Sequence, residues 1–186
     1  AFVLWLLMGF VLGHLALYKS PAADPYRELR KILFSPVAII IYLLAITGAV
    51  YSQLVSNYFV GDDFTWFRWV AECSSTCPSI GARVFQFFTD SQGFFYRPGT
   101  KAFFLFMYSS FWLNQVVYHI VSIALHFIVS ALFYLLARKI LRNNLLAAFA
   151  ALLFLVMSGY SEVVFWISST GYLFNAVFAL SAILLF

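Results

Sequence analysis

The sequence runs to 186 residues, of which 64% are hydrophobic and only 10% charged, with a formal net charge of +4. Soluble domains carry about 25% charged residues, so a chain with this composition and a mean hydropathy of +0.94 has lipid, not water, as its main solvent. Its basic residues cluster between apolar runs and form no single stripe, which speaks against nucleic acid and for loop charges that orient a membrane protein.

The first apolar run, 1–18, starts at Ala1 and is too rich in Trp and Leu, and too poorly flanked, for a signal peptide. The last run ends at Phe186 still within apolar sequence, so the chain reads as a piece of a longer protein. Between 19 and 33 lie Lys19, Arg27, Arg30 and Lys31, with Pro21 and Pro25 marking an irregular segment. The second run, 34–53, opens at Ser35-Pro36, a helix start where the missing proline N–H costs nothing.

Segment 53–101 is the longest polar stretch. The apolar run that follows, 102–113, is shorter than the roughly 20 residues a helical crossing needs, so it is predicted to be interfacial or re-entrant. Runs 115–137, 144–160 and 169–186 complete a set of five predicted membrane helices. Loop 138–143 carries Arg138, Lys139 and Arg142 and, with loop 19–33, is predicted to be cytoplasmic. An even number of crossings must join these two loops; runs 34–53 and 115–137 supply it, which puts 53–114 and the turn 159–168 on the extracytoplasmic side. The predicted fold is an all-α polytopic transmembrane helical protein: one transmembrane domain over 1–186, with an interfacial helix in its outer loop and the lipid bilayer as its first partner.

Candidate chemistry concentrates on that outer side. Asp62 and Asp63 are adjacent carboxylates just beyond the second run. They suit a general base toward a hydroxyl, oxygen ligands for a divalent cation, or a cap on a helix beginning near Thr65. Tyr96-Arg97-Pro98 puts a guanidinium at the membrane surface, where it can hold a lipid phosphate in a bidentate manner or serve as a snorkelling anchor. His119 and His126 are seven residues apart and share a helix face. His126, the deeper of the two, suits interhelical hydrogen bonding, whereas His119 is near enough to the outer surface to reach a site there. His14 has no visible partner and is expected to pack. Glu162, beside Trp166, is the only acid in 143–186. Cys73 and Cys77 stand as C-x3-C; on the extracytoplasmic side a disulfide is expected ahead of zinc, which would need two further ligands.

The order of these features resembles the N-terminal part of GT-C-type glycosyltransferases, in particular the protein O-mannosyltransferase-like and TPR-bearing transmembrane mannosyltransferase branches. The likeness covers about 34–186 and rests on Asp62-Asp63-Phe64, Tyr96-Arg97-Pro98, Leu113-Asn114, Tyr118-His119-Ile120-Val121, Leu125-His126, Leu135-Leu136-Ala137-Arg138 and Ser161-Glu162-Val163-Val164-Phe165-Trp166-Ile167-Ser168. Ser158-Gly159 stands where such relatives often carry His-Pro, and Ser169-Thr170-Gly171 where a Gly followed by Arg or Lys is common. The resemblance implies a polyprenyl-phosphate-linked sugar as donor and inverting transfer to an acceptor hydroxyl on the extracytoplasmic side. It implies Asp62 or Asp63 as the catalytic carboxylate and Arg97, with Tyr96, at the lipid phosphate. His119 and Glu162 would line the site. A divalent cation is a candidate cofactor. The rival readings are a non-catalytic membrane subunit packed within a larger complex of membrane-protein partners, and a transporter, for which the sequence shows neither a polar route nor an inverted repeat.

Overall fold

The computed structural model describes residues 27–71, 79–89 and 96–186. The predicted run 1–18, His14, Lys19 and the Cys73–Cys77 pair lie outside the described residues. Among the described residues every regular element is helical.

By backbone contacts the chain divides into two compact units, one ending at Ser35 and one spanning Pro36–Phe186. In the first, helix α1 (Arg27–Leu33) carries Arg30 and Lys31 in its last turn, where cations complement the negative end of the helix dipole.

The second unit begins with α2 (Pro36–Tyr51), which has proline at its first position, followed by a 3₁₀ turn, Ser52–Ser56. Then come α3 (Asp62–Ala71), α4 (Ile80–Thr89), α5 (Pro98–Phe111), α6 (Gln115–Leu141), α7 (Asn144–Val156), α8 (Ser158–Phe165), a 3₁₀ turn Ile167–Ser169, and α9 (Thr170–Leu185). Among the described residues, three stretches are long and apolar enough to cross a membrane: Pro36–Ser56, Gln115–Leu141 and Ile167–Leu185.

Helix α6 is the central rod: it packs against α2, α7, α8 and α9. It outruns the predicted 115–137 because Arg138 and Lys139 continue its last turn, favoured there by the dipole. Left-handed backbone at Arg142 then ends it. Asn143 starts α7 by accepting from the amides of Leu145 and Leu146 at 2.9 and 3.2 Å, an N-cap bond pair that makes the reversal tight.

Two cores result. At the end holding this basic turn, Ile39 and Leu43 of α2 meet Tyr134 and Ala137 of α6 and Ala147, Ala148 and Ala151 of α7. The small alanines let the helix backbones approach closely, the usual route to tight packing between apolar helices. At the other end, the described parts of the polar segment 53–101 are largely helical. Helices α3 and α4 both pack on α5, joined by an aromatic cluster. Phe67 sits edge-on to Phe59 at 4.6 Å, to Phe104 at 5.3 Å and to Tyr118 of α6 at 5.4 Å. These are the favoured edge-to-face geometries.

The predicted interfacial run 102–113 is observed as Pro98–Phe111; proline sets its first position, and Trp112, at φ 52°, ends it. The predicted run 144–160 is interrupted: Met157 is extended and separates α7 from α8, leaving α7 with 13 residues.

Candidate functional site

The site is built where the acidic loop meets the turn before α9. Gly61 takes left-handed backbone, φ +53°, and turns the chain into α3 with Asp62 and Asp63 in the first turn. There the carboxylates face the positive helix end. The two then part company. Asp62 is exposed. Asp63 is fully buried: its Oδ1 accepts the Ser168 amide N–H at 2.6 Å and its Oδ2 accepts the Val60 N–H at 3.1 Å. Asp63 thus ties the acidic loop to the start of α9 and is not the conventional cap for its own helix. Burial raises its pKa above the ordinary carboxyl value, and the N–H donors from Val60 and Ser168 offset part of that.

A second bond reinforces the latch. The Trp166 indole Nε1–H donates to the Val60 carbonyl at 3.2 Å, and a Cβ on Gly61 would lie 3.4 Å from the same ring. Sequence reasoning noted Trp166 but gave it no task. Its signal was the Trp-Ile-Ser string itself, an aromatic with a donor beside a helix start.

Ser168 also lines a cavity of about 720 Å³ between α5 and α9, so Asp63 lies directly behind its wall. The walls are mainly aromatic, with Phe103 and Phe106 from α5 and Phe174 and Phe178 from α9. Among the described lining residues Arg97 is the only charged one. It immediately precedes α5, and its guanidinium stands over the Tyr172 ring at 5.7 Å. Tyr96 lines the same cavity and donates its hydroxyl to the Phe88 carbonyl at 3.1 Å. From Tyr172 the cavity reaches Phe178, about 9 Å further along α9. The cavity therefore has a cationic end and an apolar end.

The remaining candidates lie elsewhere. Glu162 is exposed on α8 and does not line the cavity; its carbonyl accepts the Trp166 amide at 2.9 Å. His119 is fully buried, with Nε2 3.1 Å from the Asn57 carbonyl, and is also absent from the lining. Because a carbonyl only accepts, Nε2 carries the proton and Nδ1, which has no hydrogen-bond partner, is the acceptor nitrogen. His126 Nε2 lies 3.2 Å from the Leu155 carbonyl and 3.3 Å from the Tyr51 hydroxyl, which itself donates to Leu155 at 2.6 Å. This is the interhelical bonding the sequence suggested. Lys101 is buried, with Nζ 5.2 Å from the Trp69 ring and 5.9 Å from that of Phe87.

Asp62 and Asp63 sit in different surroundings: both Asp63 oxygens accept N–H donors in the interior, while Asp62 is exposed. Among the described residues no group of three or more His, Cys, Asp or Glu side chains comes together. Compared with protein-family models, curated proteins and solved structures, the chain matches none.

Proposed function

We propose that the chain is the N-terminal part of a multi-pass integral membrane glycosyltransferase that moves a sugar from a polyprenyl-phosphate donor to an acceptor hydroxyl. The cavity carries this reading. An aromatic trough with one cation toward one end has chemistry complementary to a phosphate attached to a hydrocarbon chain. Arg97 would hold the phosphate through charge-assisted bonds, and the trough toward Phe178 would take the first isoprene units.

Membrane insertion is supported by large apolar side chains facing outward along the long helices. Ile41 is 56% exposed, Leu44 54% and Ile183 53%, a surface suited to lipid. In the proposed topology the Arg138–Arg142 turn is cytoplasmic and segment 53–114 extracytoplasmic, following the basic-loop bias.

The proposed division of labour differs for the two aspartates. Asp63, with both oxygens engaged, positions the loop. Asp62, next to it and exposed, is the base. The acceptor oxygen attacks the anomeric carbon as its proton passes to Asp62. The bond from that carbon to the phosphate oxygen breaks, and the electron pair leaves with the phosphate, stabilised by Arg97. One displacement inverts the anomeric centre.

The test uses the full-length protein in proteoliposomes with a polyprenyl-phosphate-linked sugar. Asp62→Asn is expected to lower transfer by roughly 100-fold or more, the usual scale for a lost general base. Arg97→Gln is expected to weaken donor binding. Undiminished transfer by Asp62→Asn would remove the assignment.

A further inference from the structure

The central helix carries one polar stripe in otherwise apolar sequence: His119, Ser122, His126 and Ser130, all buried, at helical spacing on one face. Ionisable groups in such a helix ordinarily suggest a conduction route or a catalytic role. Here the hydrogen bonds of the first three run to carbonyl oxygens at helix ends, where the backbone has lost its own donors.

The three carbonyls are stranded for different reasons. Beyond α8, the Ser168 N–H would continue the helix by donating to the Val164 carbonyl, but it donates to Asp63 instead. The stranded Val164 carbonyl accepts the Ser122 hydroxyl at 2.9 Å. Asn57 closes the 3₁₀ turn after α2 with extended backbone, and its carbonyl is met by His119 Nε2–H at 3.1 Å. Met157 breaks the helix after α7, and the Leu155 carbonyl is met by His126 and Tyr51. With little water available, such carbonyls must be satisfied from within the protein.

The first two contacts fall one helical turn apart on α6 and seize the two strands of backbone that the Asp63–Ser168 bond joins. Asn57 leads into the acidic loop, and Val164 leads into the Trp166–Ser168 turn. We infer that His119 and Ser122 are a paired staple on α6 that fixes the acidic loop and the turn before α9 in mutual register, so that they are positioning residues and not substrate contacts. The geometry stands whether or not the chain transfers a sugar. His126 and Tyr51 do the analogous work at the Met157 break, further from the latch.

The test is peptide-level amide hydrogen exchange on the full-length chain in lipid nanodiscs. Losing one hydrogen bond of this kind corresponds to roughly five- to ten-fold faster local opening. Ser122→Ala and His119→Leu are each expected to speed exchange in both 57–63 and 164–168 by about that factor, leaving 36–50 and 130–150 unchanged. Ser122→Thr keeps a hydroxyl and His119→Gln keeps an N–H donor, so both are expected to retain near wild-type protection. His126→Leu is expected to loosen 153–159 only. Three results would each overturn the staple: unchanged exchange in the two latch segments, a uniform rise along the whole chain, or exchange in Ser122→Thr and His119→Gln as fast as in the variants that lose the donor. If His119→Leu does not fold, Ser122→Ala and Ser122→Thr decide alone, since removing one hydroxyl leaves the packing intact. Sugar transfer is not the readout, so failure here is distinct from failure of the proposed activity.

Discussion

Asp63 and Ser168 are 105 residues apart in sequence and 2.6 Å apart in space, joined by a carboxylate oxygen and a backbone amide. The same carboxylate holds the Val60 amide, so one side chain closes the loop on itself and onto the start of α9. Asp63→Asn keeps the shape but turns an N–H group toward an N–H donor. A buried polar group left so mismatched costs about 1–3 kcal/mol, to be read as a lower midpoint in thermal or denaturant unfolding in detergent. Asp62→Asn, at an exposed position, is expected to leave that midpoint unchanged. Equal effects of the two substitutions would contradict the division of roles.

The same pair gives a pH prediction. Burial raises the Asp63 pKa above the ordinary carboxyl value of 3.8. A carboxyl with a higher pKa folded than unfolded binds more protons in the folded state, so stability falls as pH rises between the two values. The contribution is greatest below the ordinary carboxyl pKa and is lost once pH passes the raised one. The wild-type lead over Asp63→Asn is therefore expected to shrink as pH is raised from about 4. Unfolding midpoints of the two proteins across a pH series measure it; a constant or widening lead would contradict it.

The contrast between the aspartates shows what could be read from sequence. Run lengths gave the long apolar helices Pro36–Ser56, Gln115–Leu141 and Ile167–Leu185, because a helix that crosses a bilayer needs about 20 apolar residues in sequence. The short run before Leu113 was legible as a short helix, and it is one of 14 residues. Which aspartate was free was not legible, since that depends on an amide 105 residues away. A helix near Thr65 was expected and is observed as α3, from Asp62, whereas α4 was missed: Phe87 is apolar, but its partners on α5 come later in the chain. The break at Met157 carries no proline. It is stabilised by Tyr51 and His126, which no reading of 144–160 contains.

Trp166→Phe tests the second bond of the latch. The ring is kept while the Nε1–H to the Val60 carbonyl is lost, a change of about 0.5–1.5 kcal/mol for a typical hydrogen bond. Gly61→Ala attacks the same contact from the other side: its left-handed backbone disfavours any Cβ by about 1–2 kcal/mol, and the new methyl meets the Trp166 ring. Both are expected to lower the unfolding midpoint. Combined, they are expected to cost less than the sum, because the second change acts on a contact already loosened.

Gly171 of α9 and Thr100 of α5 approach closely. A Cβ on Gly171 would collide with the Thr100 hydroxyl oxygen, and both residues line the cavity below Arg97. Gly171→Ala is therefore an overpacking change expected to cost about 1–3 kcal/mol. Removing the obstacle should relieve it. Thr100→Ala deletes the hydroxyl that the methyl strikes, so the double variant is expected to be more stable than Gly171→Ala alone. The pair should show a coupling of about 0.5–3 kcal/mol in a double-mutant cycle of unfolding free energies. Additive effects would mean that the two helices do not meet at these residues. Because Arg97 sits one turn from Thr100, Gly171→Ala is also expected to weaken binding of a lipid phosphate, and Thr100→Ala to restore it.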